Sequence, residues 1–375
     1  MDFNKTEYEF AVTAAGRVNI IGEHIDYCGG KVLPAALSLG NTVYVRRSGT
    51  NKINLSWTSI PDRITLDLDK LESYKDVKYA DYFAACAYVL KQMGKPIVGC
   101  DVLSDCRVPF GSGLSSSAAI EVSFITALLT LCGERTEKEE IALAAHRAER
   151  EYVGMNCGVM DQFASACGRK GRAMLLNCAI LRCEYIPVEL GEYVFVIANS
   201  NKPHSLVVSK YNERRKESEE ALSLIREKLP ITHLSEVTPE TFADAAKDLP
   251  PVLRMRARHV AYETDRVERA VRAMREGDVF TLGSLLRASH ASLRDLYEVT
   301  GRELDALADA ANECVYCAGS RMTGGGFGGS TVSLVRKDGV SAFEEEVAEK
   351  YRAAVGYDPT FYPVEISDGI TIESL

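Results

Sequence analysis

The residues best suited to chemistry begin with Val108–Glu121, which reads Val-Pro-Phe-Gly-Ser-Gly-Leu-Ser-Ser-Ser-Ala-Ala-Ile-Glu. Gly111 and Gly113 permit a tight turn, and Ser115, Ser116 and Ser117 lead into an apolar helical run that ends near Leu131. A glycine-rich turn that opens a helix presents free backbone N–H groups and the positive end of the helix dipole. Together these attract an anion, usually phosphate. The loop has no lysine, so it is not the Gly-x-x-x-x-Gly-Lys-Ser/Thr nucleotide loop. A phosphate held here is neutralised by backbone dipoles, a metal ion and residues from elsewhere. Gly-x-Gly-x-x-Ser also lacks the third glycine of the dinucleotide fingerprint. Read alone, the stretch is equally a Gly/Ser turn capping a helix.

Its companions decide the matter. Gly16-Arg-Val-Asn-Ile-Ile-Gly-Glu-His-Ile-Asp-Tyr27 sets Arg17, Glu23, His24 and Asp26 around an apolar run broken by Gly22. Ionisable side chains gathered beside a buried arginine are costly unless they bind something polar, and a sugar offers hydroxyls to such groups. The alternative is an internal Arg–carboxylate pair. Ile141, Ala144, Ala145, Ala148 and Tyr152 repeat at helical spacing, and Glu149 lies one residue off that stripe, as an inward-facing ligand would. Gly154 and Gly158 precede Asp161, which the spacing places in the first turn of a helix, where the dipole favours an ionised acid. Near the C-terminus, glycine occupies five of the six positions Gly324–Gly329, implying close approach of backbone to a loop or ligand.

The elements that position these groups follow from the surrounding pattern. Val18, Ile20 and Ile21 predict a short buried strand; Val32–Val45 and Ile53–Leu68 predict antiparallel strands. Tyr79–Met93 reads as an aromatic-rich amphipathic helix in which Tyr82 belongs to the core, and Cys100–Val108 as a strand feeding the phosphate loop. Thr136-Glu-Lys-Glu139 reads as a capping box. Beyond Gly171 come strands at Ala173–Leu176 and Tyr193–Ala198, then helices over Ser209–Leu229, Val252–Glu276, Val279–Leu296 and Glu303–Glu313, with Thr232–Pro251 as a connector. A final strand covers Thr331–Val335. The 375 residues suffice for two domains. A net charge of −9 with interspersed signs argues against nucleic acid or an anionic membrane as partner. Eleven cysteines without framework spacing, a polar N-terminus and no transmembrane-length apolar run predict a reduced, cytoplasmic protein. The lone Cys314-Val-Tyr-Cys317 lacks companion ligands for zinc.

Gly16–Tyr27, Val108–Ala119 and Gly319–Gly329 resemble, in order and spacing, the three motifs of the GHMP small-molecule kinases, and the first is similar to that of the galactokinase branch. The likeness extends through Gly158-Val-Met-Asp-Gln162, Ser209-Lys-Tyr-Asn-Glu-Arg-Arg215 and His290-Ala-Ser-Leu-Arg-Asp295. It implies an α+β, two-domain fold: an N-terminal ribosomal-protein-S5-like domain (1–175), a C-terminal ferredoxin-like domain (176–375), and the active site between them. It further implies ATP- and Mg²⁺-dependent phosphorylation of the anomeric hydroxyl of D-galactose by a monomer. By the same resemblance Asp161 and Arg17 are catalytic. Glu23, His24, Ile25, Asp26, Gly158 and Tyr211 bind the sugar. Pro109, Gly111, Ser112, Gly113, Leu114, Ser115, Ser116 and Ser117 bind the nucleotide, with Tyr79 near the adenine, and Ser117 and Glu149 hold the metal. Cys28 stands where many galactokinases have asparagine, a feature shared with N-acetylgalactosamine kinases, so another sugar 1-kinase is the alternative. A non-catalytic galactose sensor is a further one. Asn177-Cys-Ala179 replaces the usual Asp-Cys-Arg.

Overall fold

The alternation of small and β-branched residues ahead of Gly22 forms a longer strand than Val18–Ile21 alone predicts: β1 runs from Phe10 to Asn19, because Ala11, Val12, Ala14 and Ala15 are buried with them. A computed structural model describes residues 5–202 and 207–375, with the side chains at 207 and 208 outside the description. After β1 come β2 (Lys31–Val32), β3 (Pro34–Arg47), β4 (Lys52–Trp57), β5 (Arg63–Asp67), α1 (Asp81–Gln92), β6 (Cys100–Cys106), α2 (Ser116–Leu131) and α3 (Lys138–Arg147). A π-helical turn, Ala148–Val153, continues α3, and α4 spans Met160–Cys167. The chain proceeds through β7 (Arg172–Asn177), β8 (Arg182–Pro187), β9 (Tyr193–Asn199), α5 (Val207–Arg226), α6 (Phe242–Ala245), α7 (Pro251–Glu276), α8 (Val279–Ser292) and α9 (Arg302–Glu313). It ends with β10 (Cys317–Thr323), β11 (Ser330–Arg336), α10 (Val340–Val355), β12 (Thr360–Pro363) and β13 (Thr371–Ser374).

Among the described residues the strands make three sheets, ordered β13-β1-β3-β6-β4-β5, β10-β11-β9-β12 and β2-β7-β8. The last strand returns to the first, pairing Phe10 with Ser374 and Thr13 with Thr371. Helix α2 is apolar on every side, and Ala118–Leu129 is buried without interruption; a helix of that kind belongs inside a layer rather than on it. It packs between β1, β3, α1, α3 and α4, so its N-terminus, where the Gly111–Ser117 loop enters, is held by the main core. A second cluster of Val196, Leu307, Ala311, Phe343, Val347 and Tyr351 joins α9 and α10 to the four-stranded antiparallel sheet.

Three local expectations differ from the structure. Helix α3 starts at Lys138 after Glu137, with no side-chain cap, and the Thr136 hydroxyl is buried without a partner, so the capping box does not form. The Val279–Leu296 helix loses α-geometry at Ser292 and closes in a π-helical turn, Leu293–Tyr297, which turns Tyr297 inward. The strand expected over Ile53–Leu68 is two, β4 and β5, and β4 runs parallel to β6. The charged helix α5 keeps one buried face, with Tyr211, Ser218, Ala221 and Ile225 at helical spacing. All eleven cysteines are free thiols, Cys314 and Cys317 among them. No described helix is long and apolar enough to cross a membrane.

Candidate active site

Strand β1 carries a bulge between Ala15 and Arg17, after which the pairing with β3 resumes at Arg17 opposite Ala36. The Arg17 N–H donates to the Leu114 carbonyl at 3.0 Å, so the phosphate loop is laid directly on this bulge. The guanidinium then reaches under the loop, where Nη1 donates to the Gly113 carbonyl. Its other edge grips Asp161 in a bidentate pair, Nε to Oδ1 and Nη2 to Oδ2, each at 2.8 Å. Asp161 lies in the first turn of α4, as the spacing predicts. Its third donor is unexpected. Ser115, the residue before α2, adopts a left-handed conformation (φ 60°) and makes no side-chain cap; its hydroxyl donates to Asp161 Oδ2 instead. The first N–H groups of α2 therefore keep their capacity for an outside acceptor.

The glycine-rich C-terminal loop closes one side of the cleft. Gly324 has a φ of 85°, and a Cβ there would stand 2.7 Å from the Gly113 carbonyl oxygen, so only glycine lets the two loops touch. Ser330 Oγ donates to the Ser112 carbonyl at 2.7 Å, and Gly324 N–H to Glu23 Oε1 at 2.6 Å. Glu23 is almost fully buried. It also receives Asn19 Nδ2 at 2.6 Å and pairs with the completely buried Arg321 at 2.9 Å. Arg321 Nη1 reaches on to the Asn19 and Ile20 carbonyls at 2.9 and 2.8 Å, tying the third motif to the first. Burial pushes the Glu23 carboxyl up, against the opposing pull of Arg321 and Arg17.

His24 sits beside it with a φ of 61°. Burial lowers its pKa to about 3, so the ring is neutral. Its Nε2 faces the Gly325 carbonyl at 3.1 Å and must donate, which leaves Nδ1 to accept from the Tyr27 hydroxyl at 2.8 Å. Tyr27 is bonded in turn to Tyr297 at 3.0 Å and Tyr297 to Ser218 at 2.7 Å, so the proton direction is set along the whole row. Tyr211 closes this corner from α5, its ring 5.3 Å from that of His24. Arg215, one turn on, donates to the Asn156 and Cys157 carbonyls at 2.8 and 3.3 Å and so fastens α5 to the loop that carries Gly158. Asp26 faces Gly158. Burial, then the nearby Asp161 and Glu23, raise its pKa to about 7.

On the opposite side, the π-helical turn after α3 swings Glu149 out of the apolar stripe and into the site; single π turns of this kind are frequent at functional positions. Its carboxylate accepts from the Ser117 hydroxyl and, at 2.5 Å, from Gln162 Nε2. Burial, followed by the charge of Asp161, raises Glu149 to about 7 despite those donors. Among the described residues no cluster of three His, Cys, Asp or Glu side chains could cage a metal by itself. One hydroxyl and one carboxylate lacking a counter-cation nonetheless fit Mg²⁺, which takes few protein oxygens and completes its shell with water and phosphate.

These groups line a cavity of about 390 Å³. Arg17, Glu23, His24, Asp26, Gly158, Asp161 and Tyr211 meet in it with Gly111, Gly113, Ser115, Ser116, Ser117 and Glu149. Ile25 and Leu114 are fully buried core residues and do not line it. Ser112 is buried, its hydroxyl spent on the Pro109 carbonyl at 2.7 Å, so Pro109 and Ser112 shape the loop from behind. Tyr79 also stands outside the cavity: its ring packs tilted on Trp57 at 6.1 Å, under Lys78. Tyr82, expected in the core, is half-buried and lines the cavity, as do Met155, Cys157, Met160 and, from the third motif, Gly324, Gly325, Gly326 and Gly328. Sequence reasoning passed over two further groups. Arg321 was detectable as a lone charge in the strand before the glycines. Glu121 was detectable as a carboxyl four residues after Ser117 in an otherwise apolar helix.

Comparison with known proteins agrees with this geometry. Residues 81–169 match the GHMP kinases N terminal domain, 270–353 the GHMP kinases C terminal, and 2–47 the galactokinase galactose-binding signature. The galactokinase of Clostridium tetani is 43% identical over 357 residues, 94% of this chain and 91% of that protein. That of Lactococcus lactis strain MG1363 is 42% identical over 375 residues, 99% and 93% of the two chains. The crystal structure of Lactococcus lactis galactokinase complexed with galactose superposes with a TM-score of 0.94 at 40% identity, covering 96% of this chain and 94% of that one. Methanococcus jannaschii mevalonate kinase shares the fold at a TM-score of 0.68 and 17% identity, covering 96% and 98% of the two chains. With its glycine- and serine-rich loop, polar first motif and closing glycine loop in one cleft, and with galactokinases matching it over 94–99% of its length, the chain belongs to the galactokinase family of GHMP kinases.

Proposed function

We propose that the protein transfers the terminal phosphoryl group of ATP to the anomeric hydroxyl of D-galactose, giving α-D-galactose 1-phosphate and ADP. The observation that carries the reading is Asp161, held by Arg17 and Ser115 at the point where the uncapped end of α2 meets the polar loop Glu23–Asp26. The sugar lies against Glu23, His24, Asp26, Gly158 and Tyr211, with the backbone of Ile25 between them. The triphosphate lies on the amides of the Pro109–Ser117 loop, and the Trp57–Tyr79 pair offers the adenine an aromatic surface. Ser117 and Glu149 would hold Mg²⁺, which when bound neutralises phosphate charge.

Phosphoryl transfer needs alignment and charge neutralisation more than covalent help. The Asp161 carboxylate, with donors fixing both of its oxygens, accepts the hydrogen bond of the sugar O1 hydroxyl and aims that oxygen at the phosphorus. As the new O–P bond forms and the bond to the leaving ADP oxygen breaks, the proton passes to Asp161 and Arg17 steadies the charge. The neutral His24 orders the sugar loop and carries no charge into the step. We place the division between the two domains near 175/176, a cut that falls within β7 (Arg172–Asn177) and leaves β13 (Thr371–Ser374) on the first sheet, and we take the enzyme as a cytoplasmic monomer whose partners are its two small substrates. Asp161→Asn is expected to lower turnover by roughly 10²-fold or more, the scale of general-base catalysis, while ATP still binds. The measurement is ADP release with galactose, N-acetylgalactosamine, glucose and arabinose. Near-normal turnover by folded Asp161→Asn removes the aspartate from the mechanism, and turnover of only a non-galactose sugar overturns the substrate.

A further inference from the structure

Glu121 is the least explained charge-bearing side chain near the site. It is fully buried, and no cation pairs with it among the described residues. One carboxyl oxygen has no hydrogen-bond partner, while the other accepts from Gln162 Nε2 at 3.3 Å. An unpaired acid in an apolar helix is destabilising, and a leucine of similar size would remove the defect. Its place gives the reason. Glu121 lies four residues after Ser117, one turn along the same face of α2 and directly beneath the residue that opens onto the cavity.

Gln162 joins the two layers. It is fully buried in α4, next to Asp161. Its single amide nitrogen donates to Glu121 at 3.3 Å and to Glu149 Oε2 at 2.5 Å. The amide oxygen has no partner. Turning the amide over would set that oxygen against two carboxyl groups, so the two acids together fix which way it points. The same Glu149 oxygen also receives Cys157 Sγ at 3.6 Å, so this edge of the carboxylate is held entirely from the protein side. Glu149 and Ser117 remain at the cavity wall.

We propose that Gln162 and Glu121 are positioning residues for the cation: Glu121 orients the Gln162 amide, and that amide holds the Glu149 carboxylate in register with Ser117. This rests on the reading of Ser117 and Glu149 as the Mg²⁺ ligands. Groups that hold metal ligands in place commonly contribute 10- to 100-fold to metal affinity.

The experiment titrates the enzyme, loaded with a nonhydrolysable ATP analogue, with Mn²⁺ and follows free Mn²⁺ by electron paramagnetic resonance. Galactose affinity is measured by calorimetry on the same samples without metal. Gln162→Met removes both donors at similar length and is expected to weaken Mn²⁺ binding about 10- to 100-fold with galactose affinity unchanged. Glu121→Gln, which keeps an acceptor for the amide, stays within about 3-fold of the parent, whereas Glu121→Met weakens Mn²⁺ several-fold. Wild-type Mn²⁺ affinity in folded Gln162→Met, or a parallel loss of galactose binding, overturns the proposal. Gln162→Asn serves if the methionine variant does not fold. Glu149→Gln, run alongside, separates the two ideas. If it weakens Mn²⁺ while Gln162→Met does not, only the positioning role fails; if it changes nothing, the cation reading fails and the proposal with it.

Discussion

Gly158→Ala tests the proposed sugar site with the smallest possible perturbation. A Cβ at Gly158 would stand 1.9 Å from Asp26 Oδ2 and 2.3 Å from its Cγ. Non-bonded heavy atoms settle at roughly 3.5–4.0 Å, so the carboxylate must retreat by about 1.5 Å or more. The backbone at Gly158 is outside the left-handed region, so alanine fits the chain itself and the whole strain falls on Asp26. Asp26 is buried against the sugar loop and has little room to turn aside. A displacement of about 1 Å at a positioning group costs on the order of 10²-fold, or roughly 2.7 kcal/mol of transition-state stabilisation. We expect kcat/KM for galactose to fall by that factor, with KM for ATP changed less than about 3-fold. The assay is ADP release at varied galactose and varied ATP, with thermal unfolding to verify folding. A double-mutant cycle sharpens it. In an Asp26→Ala background the clash has no partner, so adding Gly158→Ala should cost almost nothing further. Folded Gly158→Ala with parental galactose kinetics, or full additivity in the cycle, would refute the reasoning.

Arg321→Met strands the buried Glu23 carboxylate and is expected to lower unfolding free energy by about 3–5 kcal/mol, the usual result of removing one partner of a buried pair. Adding Glu23→Gln should recover more than half of that loss in denaturant unfolding; no recovery would show that the carbonyl contacts of Arg321, not the ion pair, dominate. Asp26 gives a pH dependence. Its folded pKa of about 7 lies above the ordinary 3.8, so the folded state binds this proton more tightly than the unfolded one. The stability it contributes is therefore complete below about pH 4 and is lost as pH rises towards 7. In the proposed site galactose affinity should run the other way: an ionised Asp26 would accept sugar hydroxyls, so affinity is expected to rise through pH 7 and level off above it, and Asp26→Asn to flatten the profile measured by calorimetry. An unchanged profile in that variant would assign the titration to another group.

Much of the cleft was legible before any fold was known, for reasons that are local. A run of glycines and serines ahead of an apolar segment has few conformations besides a turn opening a helix, and that is how Gly111–Ser117 behaves. Glu149 stood out because it broke a helical stripe, and the π turn beneath it is the structural form of that break. Other local signals misled. Thr136 sits where a capping box could form, yet the helix begins at Lys138, and Tyr82, expected in the core, lines the cavity instead. Tyr79, just ahead of α1, and Tyr82, in its first turn, cannot be told apart along the chain; the neighbouring strand decides by supplying Trp57 to hold the first of them.

By itself, then, the sequence determined which residue types would be gathered and what backbone each short stretch would adopt, since both depend on interactions within a few residues. Only the tertiary structure decided which groups meet. Arg17 finds Asp161 across 144 residues and Gly324 finds Glu23 across 301. Whether Ser115 caps its own helix or donates to that aspartate turns on the same packing. A buried ionic group is tolerated only where a distant partner arrives, and no pattern along the chain encodes that arrival; the apolar cores, by closing around α2 and the antiparallel sheet, bring it about.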